Sequence, residues 1–194
     1  GLELILRKVP TIPNFKFEYW RYWRKISSVG FQHLGQALGT LTSLRTFCLE
    51  LIQCYRIYEN GFKHFIKSLK NLTHLKQIRF EFWFCDVTDE CLQYLSKRLK
   101  KLCSLENLYL GFSDCDSITD KGLEKIGQGF KEIISLREIS LNVSGCYHIG
   151  DLGMQKVAKS LKELSNLQQV TLNFAQSIKI TSGGKKKTIK ILKN

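Results

Sequence analysis

One short pattern of apolar residues recurs along the chain at an almost constant interval. The pattern is LxxLxL, in which Ile, Val or Phe replaces some of the leucines. Five copies begin at Leu44, Leu75, Leu105, Leu136 and Leu167, which are 31, 30, 31 and 31 residues apart. An earlier copy begins at Ile12 and continues with Phe15 and Phe17. A fixed period of this size is typical of proteins built from stacked structural repeats.

Each copy predicts a strand followed by a loop and a helix. The LxL core alternates apolar and polar residues, as a half-buried strand does, and the segment after the loop has helical spacing, for example at Phe62, Phe65 and Ile66. Short polar residues precede three of these helices, at Thr88-Asp89, Thr119-Asp120 and Gly150-Asp151. Such residues accept hydrogen bonds from the free backbone N–H groups of a helix start.

Small residues recur just inside the predicted helices. They are Gly30, Gly61, Cys91, Gly122 and Gly153. Glycine there costs about 1 kcal/mol of helix propensity relative to alanine. We interpret the column as a site where each helix approaches the sheet closely.

Repeated strand–loop–helix units stack so that the strands form one parallel sheet and the helices lie on its other side. Strands need about 4.8 Å of width and helices about 10 Å, so the stack curves with the sheet inside. The predicted fold is therefore an α/β solenoid of about six repeats. We assign residues 1–177 to the solenoid and residues 178–194 to a basic C-terminal cap or the start of a further repeat.

The repeats resemble leucine-rich repeats over roughly residues 12–177. More narrowly, they resemble the repeats of ribonuclease inhibitor and the cysteine-containing repeats of F-box substrate receptors, whose pattern LxxLxLxxC continues as ITDxGL. The matching residues are Leu108, Leu110, Cys115, Ile118, Thr119, Asp120, Gly122 and Leu123. The resemblance implies a non-catalytic interaction module.

Four cysteines form a further column. Cys54, Cys85, Cys115 and Cys146 are 31, 30 and 31 residues apart, so they lie along a line and do not converge as zinc ligands must. We interpret them as buried structural thiols, since free cysteine is among the most buried residue types. The odd total of seven cysteines argues against a disulfide framework and indicates a reducing intracellular compartment, the cytoplasm, with a cytoskeletal location left open.

No residue pattern predicts catalysis. The aspartates Asp114, Asp116 and Asp120 lack the glycine and glutamate of a calcium loop, and Lys186 stands where a phosphate loop has Ser or Thr after its lysine. No histidine has a partner for zinc or for acid–base chemistry. We therefore expect no enzyme activity, no cofactor and no metal site.

The net charge of +13 is concentrated at the two ends. Residues 1–26 carry six basic and two acidic side chains, and residues 179–194 carry six lysines and no acid. In the second segment, alternation at 178–180 and 189–191 favours a terminal hairpin over a further helix, although Gly184 and Leu192 keep the 31-residue register of a helix. No apolar stretch is long enough for a transmembrane helix, and we expect no membrane partner.

The residues between the buried LxL positions point to the concave face and form columns. The first column is Lys16, Cys48, Arg79, Tyr109, Ser140 and Thr171, and the next is Glu18, Glu50, Glu81, Gly111, Asn142 and Asn173. The predicted partner-binding residues are Glu18, Trp20, Glu50, Arg79, Glu81, Trp83 and Tyr109. Three glutamates in register would repel one another and phosphate, so nucleic acid is disfavoured on this face.

Three functions are consistent with these features. The first is a scaffold or adaptor, within a large complex, that binds a protein partner on its concave face or rim. The second is the substrate-recognition part of a ubiquitin ligase. The sequence disfavours this role, because no F-box is visible before the first repeat. The third is binding of nucleic acid or acidic protein through the basic ends, above all Lys185, Lys186 and Lys187.

Overall fold

The computed structural model describes residues 13–18 and 26–193, with the backbone alone for residues 15–18. Within these residues six strands alternate with six α-helices. The strands are β1 (Asn14–Glu18), β2 (Thr46–Ile52), β3 (Gln77–Trp83), β4 (Asn107–Gly111), β5 (Glu138–Asn142) and β6 (Gln169–Asn173). The helices are α1 (Ser28–Leu38), α2 (Glu59–Ser68), α3 (Asp89–Leu99), α4 (Asp120–Phe130), α5 (Asp151–Lys162) and α6 (Ser182–Lys193), and a 3₁₀ turn at Leu69–Asn71 follows α2.

The strands form a single parallel sheet in chain order. Leu108 of β4 pairs with Ile78 on one side and with Ile139 on the other, so equivalent positions of successive repeats lie side by side. Each helix packs against the helix of the next repeat. The predicted fold class, a curved leucine-rich-repeat solenoid with the sheet inside and the helices outside, is confirmed.

The core lies between the sheet and the helices and is made by the LxL residues. Leu108, Leu110, Ile139 and Leu141 are at most 1% exposed. Burying each such side chain stabilises the fold by about 1.5–3 kcal/mol. The first repeats contribute phenylalanine side chains to this core. The rings of Phe31 of α1 and Phe65 of α2 stack with their centroids 4.2 Å apart.

The cysteine column is buried as predicted. The thiols of Cys85, Cys115 and Cys146 each donate to a carbonyl of the preceding repeat, at 3.7, 3.3 and 3.1 Å. Burial raises the pKa of Cys115 to about 12 and that of Cys146 to about 11. These two thiols are therefore neutral at physiological pH and act as hydrogen-bond donors between repeats.

The helix starts contain hydrogen bonds that link one repeat to the next. Thr88 and Thr119 accept backbone N–H groups of their own helices, which confirms them as N-caps. The following aspartates act differently, because Asp89 accepts both the backbone N–H and the hydroxyl of Thr119, at 2.8 and 2.7 Å. Asp151 does the same for Thr181. The sequence predicted these aspartates as part of the helix caps, whereas the structure shows that they bond to the next repeat.

The glycine column also has a different role from the predicted one. A Cβ at Gly61 would lie 2.6 Å from the Cα of Ser28, and one at Gly153 would lie 3.0 Å from the Cα of Asp120. Both neighbours belong to the first turn of the preceding helix. The close approach is therefore between adjacent helices, and the interpretation of an approach to the sheet was wrong.

The predicted C-terminal hairpin is also wrong, since Ser182–Lys193 forms helix α6. Gly184 occupies the glycine column beside Asp151, and Thr181 is bonded to the same aspartate, so contacts with the preceding repeat override the local alternation. A cavity of about 440 Å³ lies between β6 and α6. The assignment of residues 178–194 as a cap or as the start of a further repeat stays a prediction.

Candidate functional site: the concave face of β2 to β5

The strand register places the predicted columns on the sheet. Arg79 pairs with Cys48 and Tyr109, and Glu81 pairs with Glu50 and Gly111. Side chains on one face of neighbouring strands are about 5 Å apart at their Cβ atoms. Residues that are about 30 apart in sequence therefore meet on the concave face.

Arg79 is the centre of a set of side chains that contact one another across β3, β4 and β5. Its guanidinium lies 4.5 Å from the centre of the Tyr109 ring. Its Nη1 atom is 3.0 Å from Oε1 of Glu81. We call Arg79, Glu81, Trp83, Tyr109 and Glu138 the Arg79 cluster.

Glu81 is held from three sides. The indole N–H of Trp83 donates to its Oε2 atom at 3.3 Å, and Arg79 pairs with the other oxygen. Its carboxylate also lies against Gly111, in the space that a Cβ would fill. Burial raises the pKa of Glu81, while the Trp83 hydrogen bond and the Arg79 charge lower it and the Glu50 charge raises it further.

The predicted repulsion between the glutamates of neighbouring strands is offset at Glu81 by its contacts with Trp83 and Arg79. Repulsion from Glu50 affects the pKa of Glu81 less than the contacts with Trp83 and Arg79 do. Glu50 accepts a long contact of 3.9 Å from the thiol of Cys48. The backbone of Glu18 pairs with Glu50 in the sheet, but its side chain lies outside the described atoms. Trp20 lies outside the described residues altogether.

Glu138 extends the cluster to β5, the fifth of the six strands from the N-terminal edge, and was not predicted. The hydroxyl of Tyr109 donates to its Oε2 atom at 2.8 Å, and this bond is the main reason that the pKa of Tyr109 is raised. Glu138 is two residues before Ser140 on β5, so its side chain lies on the same concave face as that of Ser140. The alternation along β5 could have identified it.

Exposed aromatic side chains lie at the edge where the strands end. Trp83 is 40% exposed, and Phe84 and Tyr55, on neighbouring loops, are 45% and 48% exposed. The two loops are joined by a hydrogen bond of 2.8 Å from the N–H of Gln53 to the carbonyl of Trp83. We call Tyr55, Trp83 and Phe84 the aromatic rim.

Phe84 has an unusual backbone conformation for its residue type. Each loop that follows one of the strands β2 to β6 contains one residue with a positive φ, and these residues are Gln53, Phe84, Asp114, Gly145 and Gln176. The φ of Phe84 is 51°, in the left-handed region, which costs a bulky side chain roughly 1–2 kcal/mol. The repeat fold accounts for the positive φ, but burial does not account for a phenylalanine at this position, because its ring is half exposed.

The basic residues at the C-terminal end lie apart from this face. Lys185, Lys186 and Lys187 are exposed on α6. Among residues 13–18 and 26–193 no group of three or more His, Cys, Asp or Glu side chains could hold a metal ion. None of the helices that the structure describes is long and apolar enough to cross a membrane.

The repeat length, the parallel sheet in chain order and the buried leucine and cysteine columns define the class of this chain, an α/β repeat protein of the leucine-rich type. Its fold is similar to that of the tropomodulin C-terminal domain of Caenorhabditis elegans, with a TM-score of 0.57 and 13% identity over 87% of this chain and 92% of that one. At this identity the likeness shows the fold alone. No family model matches the chain, and no curated protein matches its sequence.

Proposed function

We propose that the protein is a non-catalytic interaction module, a scaffold or adaptor in a larger assembly, that binds a protein partner over the Arg79 cluster and the aromatic rim. The observation that carries this proposal is the continuity of the two sets at Trp83. Trp, Tyr and Arg are the residues most enriched at the centres of protein interfaces. The fold likeness to the tropomodulin C-terminal domain, a part of a larger protein by its name, supports a modular role.

The contacts within the cluster hold its side chains before a partner arrives. Arg79 is fixed by Glu81 and by the Tyr109 ring, and Tyr109 is fixed by Glu138. Ordering a long side chain on binding costs about 0.5–1.5 kcal/mol. A surface that is already ordered avoids part of this cost.

The charge of the same face indicates the chemistry of the partner. Strands β2 to β5 contain three glutamates, Glu50, Glu81 and Glu138, and the one cation Arg79. A partner segment with lysine or arginine complements this excess and can also place a cation over the rim aromatics. We therefore expect a basic protein segment and not a nucleic acid on this face.

The proposal is tested by capturing partners from a native extract with the whole chain as bait. Trp83→Ala should abolish recovery of the specific partner. Tyr147→Ala is the matched control, since Tyr147 is 45% exposed on the equivalent loop two repeats further on. Equal recovery with both variants would refute a role for Trp83.

The same capture separates the alternatives. Recovery of ubiquitin ligase subunits would favour the substrate-recognition role that cysteine-containing repeats suggest. Loss of recovery on changing Lys185, Lys186 and Lys187 to Ser would favour binding through the basic end. Under the leading proposal the partner is a cytoplasmic protein and neither result is seen.

A further inference from the structure

A second surface, on the helical side of the solenoid, carries positive charge that the fold does not neutralise. A groove of about 240 Å³ lies between α2 and α3. Its lining residues are Lys63, Ile66, Lys67, Lys70, Tyr94, Lys97 and Arg98. Five of these seven side chains are cations and none is an acid. We call this site the α2–α3 groove.

The cations converge because of helix geometry and repeat spacing together. Lys63, Lys67 and Lys70 are separated by four and three residues, so they lie on one face of α2 and its 3₁₀ extension. The N-caps of α2 and α3, Tyr58 and Thr88, are 30 residues apart, so Lys67 and Lys97 occupy equivalent positions on adjacent helices, and Arg98 follows Lys97. The two helices thus present their charges to one concave site.

The acids of the same helices are engaged elsewhere. Glu59 accepts the hydroxyl of Thr88 at 2.9 Å, and Glu90 pairs with Lys125 at 3.4 Å. Asp89 is bonded to Thr119. All three lie in the first turns, whereas the groove lies toward the helix ends. Among the described residues no ion pair reaches the five cations.

Arg98 carries a polar atom that the fold leaves unpaired. Its Nε atom is shielded from solvent and has no hydrogen-bond partner among the described residues. Burial lowers the pKa of this arginine, and no neighbouring carboxylate opposes that shift. A partly buried guanidinium without a counter-charge is an unfavourable arrangement, which a bound anion would relieve.

Stabilisation of the helix ends does not account for the cluster. The C-terminus of a helix carries the equivalent of about half a negative charge, which favours cations nearby. Two such ends offset about one charge, whereas the groove holds five. Lys63 lies 5.4 Å from the centre of the Tyr94 ring, which fixes one lysine over the groove without neutralising it.

We propose that the α2–α3 groove binds a compact polyphosphate anion, with two or three phosphate groups, either as a free solute or as a lipid headgroup. The volume of the groove is below the roughly 300–1,000 Å³ of pockets for drug-sized ligands and suits a small, highly charged one. Arg98 binds a phosphate through its guanidinium, and the lysines supply point charges around it. The clustering in one groove favours a compact anion over an extended nucleic acid, which needs a track of charge.

The test is a calorimetric titration of the whole chain with inositol 1,4,5-trisphosphate. Saturable binding with one site per chain is expected. In the double variant Lys67→Gln, Arg98→Gln the affinity should fall at least about tenfold, because two charge-assisted contacts are lost. The double variant Lys186→Gln, Lys187→Gln removes the same charge from α6 and should keep wild-type affinity.

Further arms identify the source of the phosphate and guard against misfolding. If Arg98→Gln unfolds the chain, Lys63→Gln with Lys67→Gln, both exposed positions, serves instead. Stronger binding to vesicles with a bisphosphorylated phosphoinositide than to phosphatidylserine vesicles of equal charge assigns a lipid headgroup, and binding of the free trisphosphate alone assigns a solute. Equal losses in the groove and α6 variants, absence of saturable binding, or binding of single-stranded RNA without the trisphosphate would overturn the proposal.

Discussion

The carboxylate of Glu81 lies against the bare Cα of Gly111 on the neighbouring strand, in the space that a side chain at position 111 would occupy. This contact lets Glu81 reach both Arg79 and Trp83. The absence of a side chain on β4 therefore organises the side chains of β3. The Arg79 cluster depends on this one glycine.

Gly111→Ala should displace the Glu81 carboxylate and break its ion pair with Arg79. We expect a loss of about 0.5–1.5 kcal/mol in the free energy of unfolding, the usual range for one net hydrogen bond. In a Glu81→Ala background the same change should cost much less, because the displaced group is gone. Urea unfolding of the four proteins measures the coupling. Additive losses would show that the two residues do not interact.

Stability should depend on pH through Glu81. Because burial raises its pKa in the folded state, the folded chain keeps this proton at pH values where the unfolded chain has lost it. Stability is therefore unaffected below the unfolded value of about 4.3 and falls as the pH rises from there through the folded pKa. The difference in unfolding free energy between wild type and Glu81→Gln, followed from pH 3 to pH 8, should show this fall. A difference that is constant with pH would refute it.

Replacements of Phe84 should separate backbone strain from side-chain contact. Phe84→Gly relieves the positive φ, whereas Phe84→Ala keeps it, so the glycine variant should be more stable by about 1 kcal/mol. Both variants should weaken partner binding to the same degree, since both remove the exposed ring. Thermal unfolding and affinity measurements check the two effects. An alanine variant as stable as the glycine variant would show that residue 84 is unstrained.

The cysteines should differ sharply in reactivity. Cys103 is exposed, whereas Cys54, Cys85, Cys115 and Cys146 are buried, and the raised pKa values of Cys115 and Cys146 keep their thiols protonated. One thiol per native chain should react rapidly with an alkylating reagent, and all seven cysteines should react in denaturant. Mass spectrometry after timed labelling identifies the sites. Rapid native labelling of Cys115 would contradict the packing of the column.

The leucine period predicts the sheet because residues one repeat apart in sequence, 30 or 31 residues, pair with each other on neighbouring strands. This is why the sequence places Arg79 beside Tyr109, and the same rule places Lys67 of α2 beside Lys97 of α3. The lean of Glu81 toward Gly111 depends on side-chain rotamers that no period encodes. Helix α6 was missed because three-residue alternations at 178–180 and 189–191 are weak signals, while the bonds of Thr181 to Asp151 arise only in the stack.

The central claim, that a basic partner binds over the Arg79 cluster, is tested most directly by the salt dependence of affinity for the recovered partner. The double variant Glu50→Gln, Glu138→Gln, which lacks two glutamates, is compared with the double variant Lys186→Ser, Lys187→Ser, which lacks two lysines, at about 50 and 200 mM salt. We expect the variant that lacks the two glutamates to bind more weakly and with less salt sensitivity, and the variant that lacks the two lysines to behave as wild type. Unchanged binding by the variant that lacks the glutamates, together with weaker binding by the variant that lacks the lysines, would contradict binding over the Arg79 cluster.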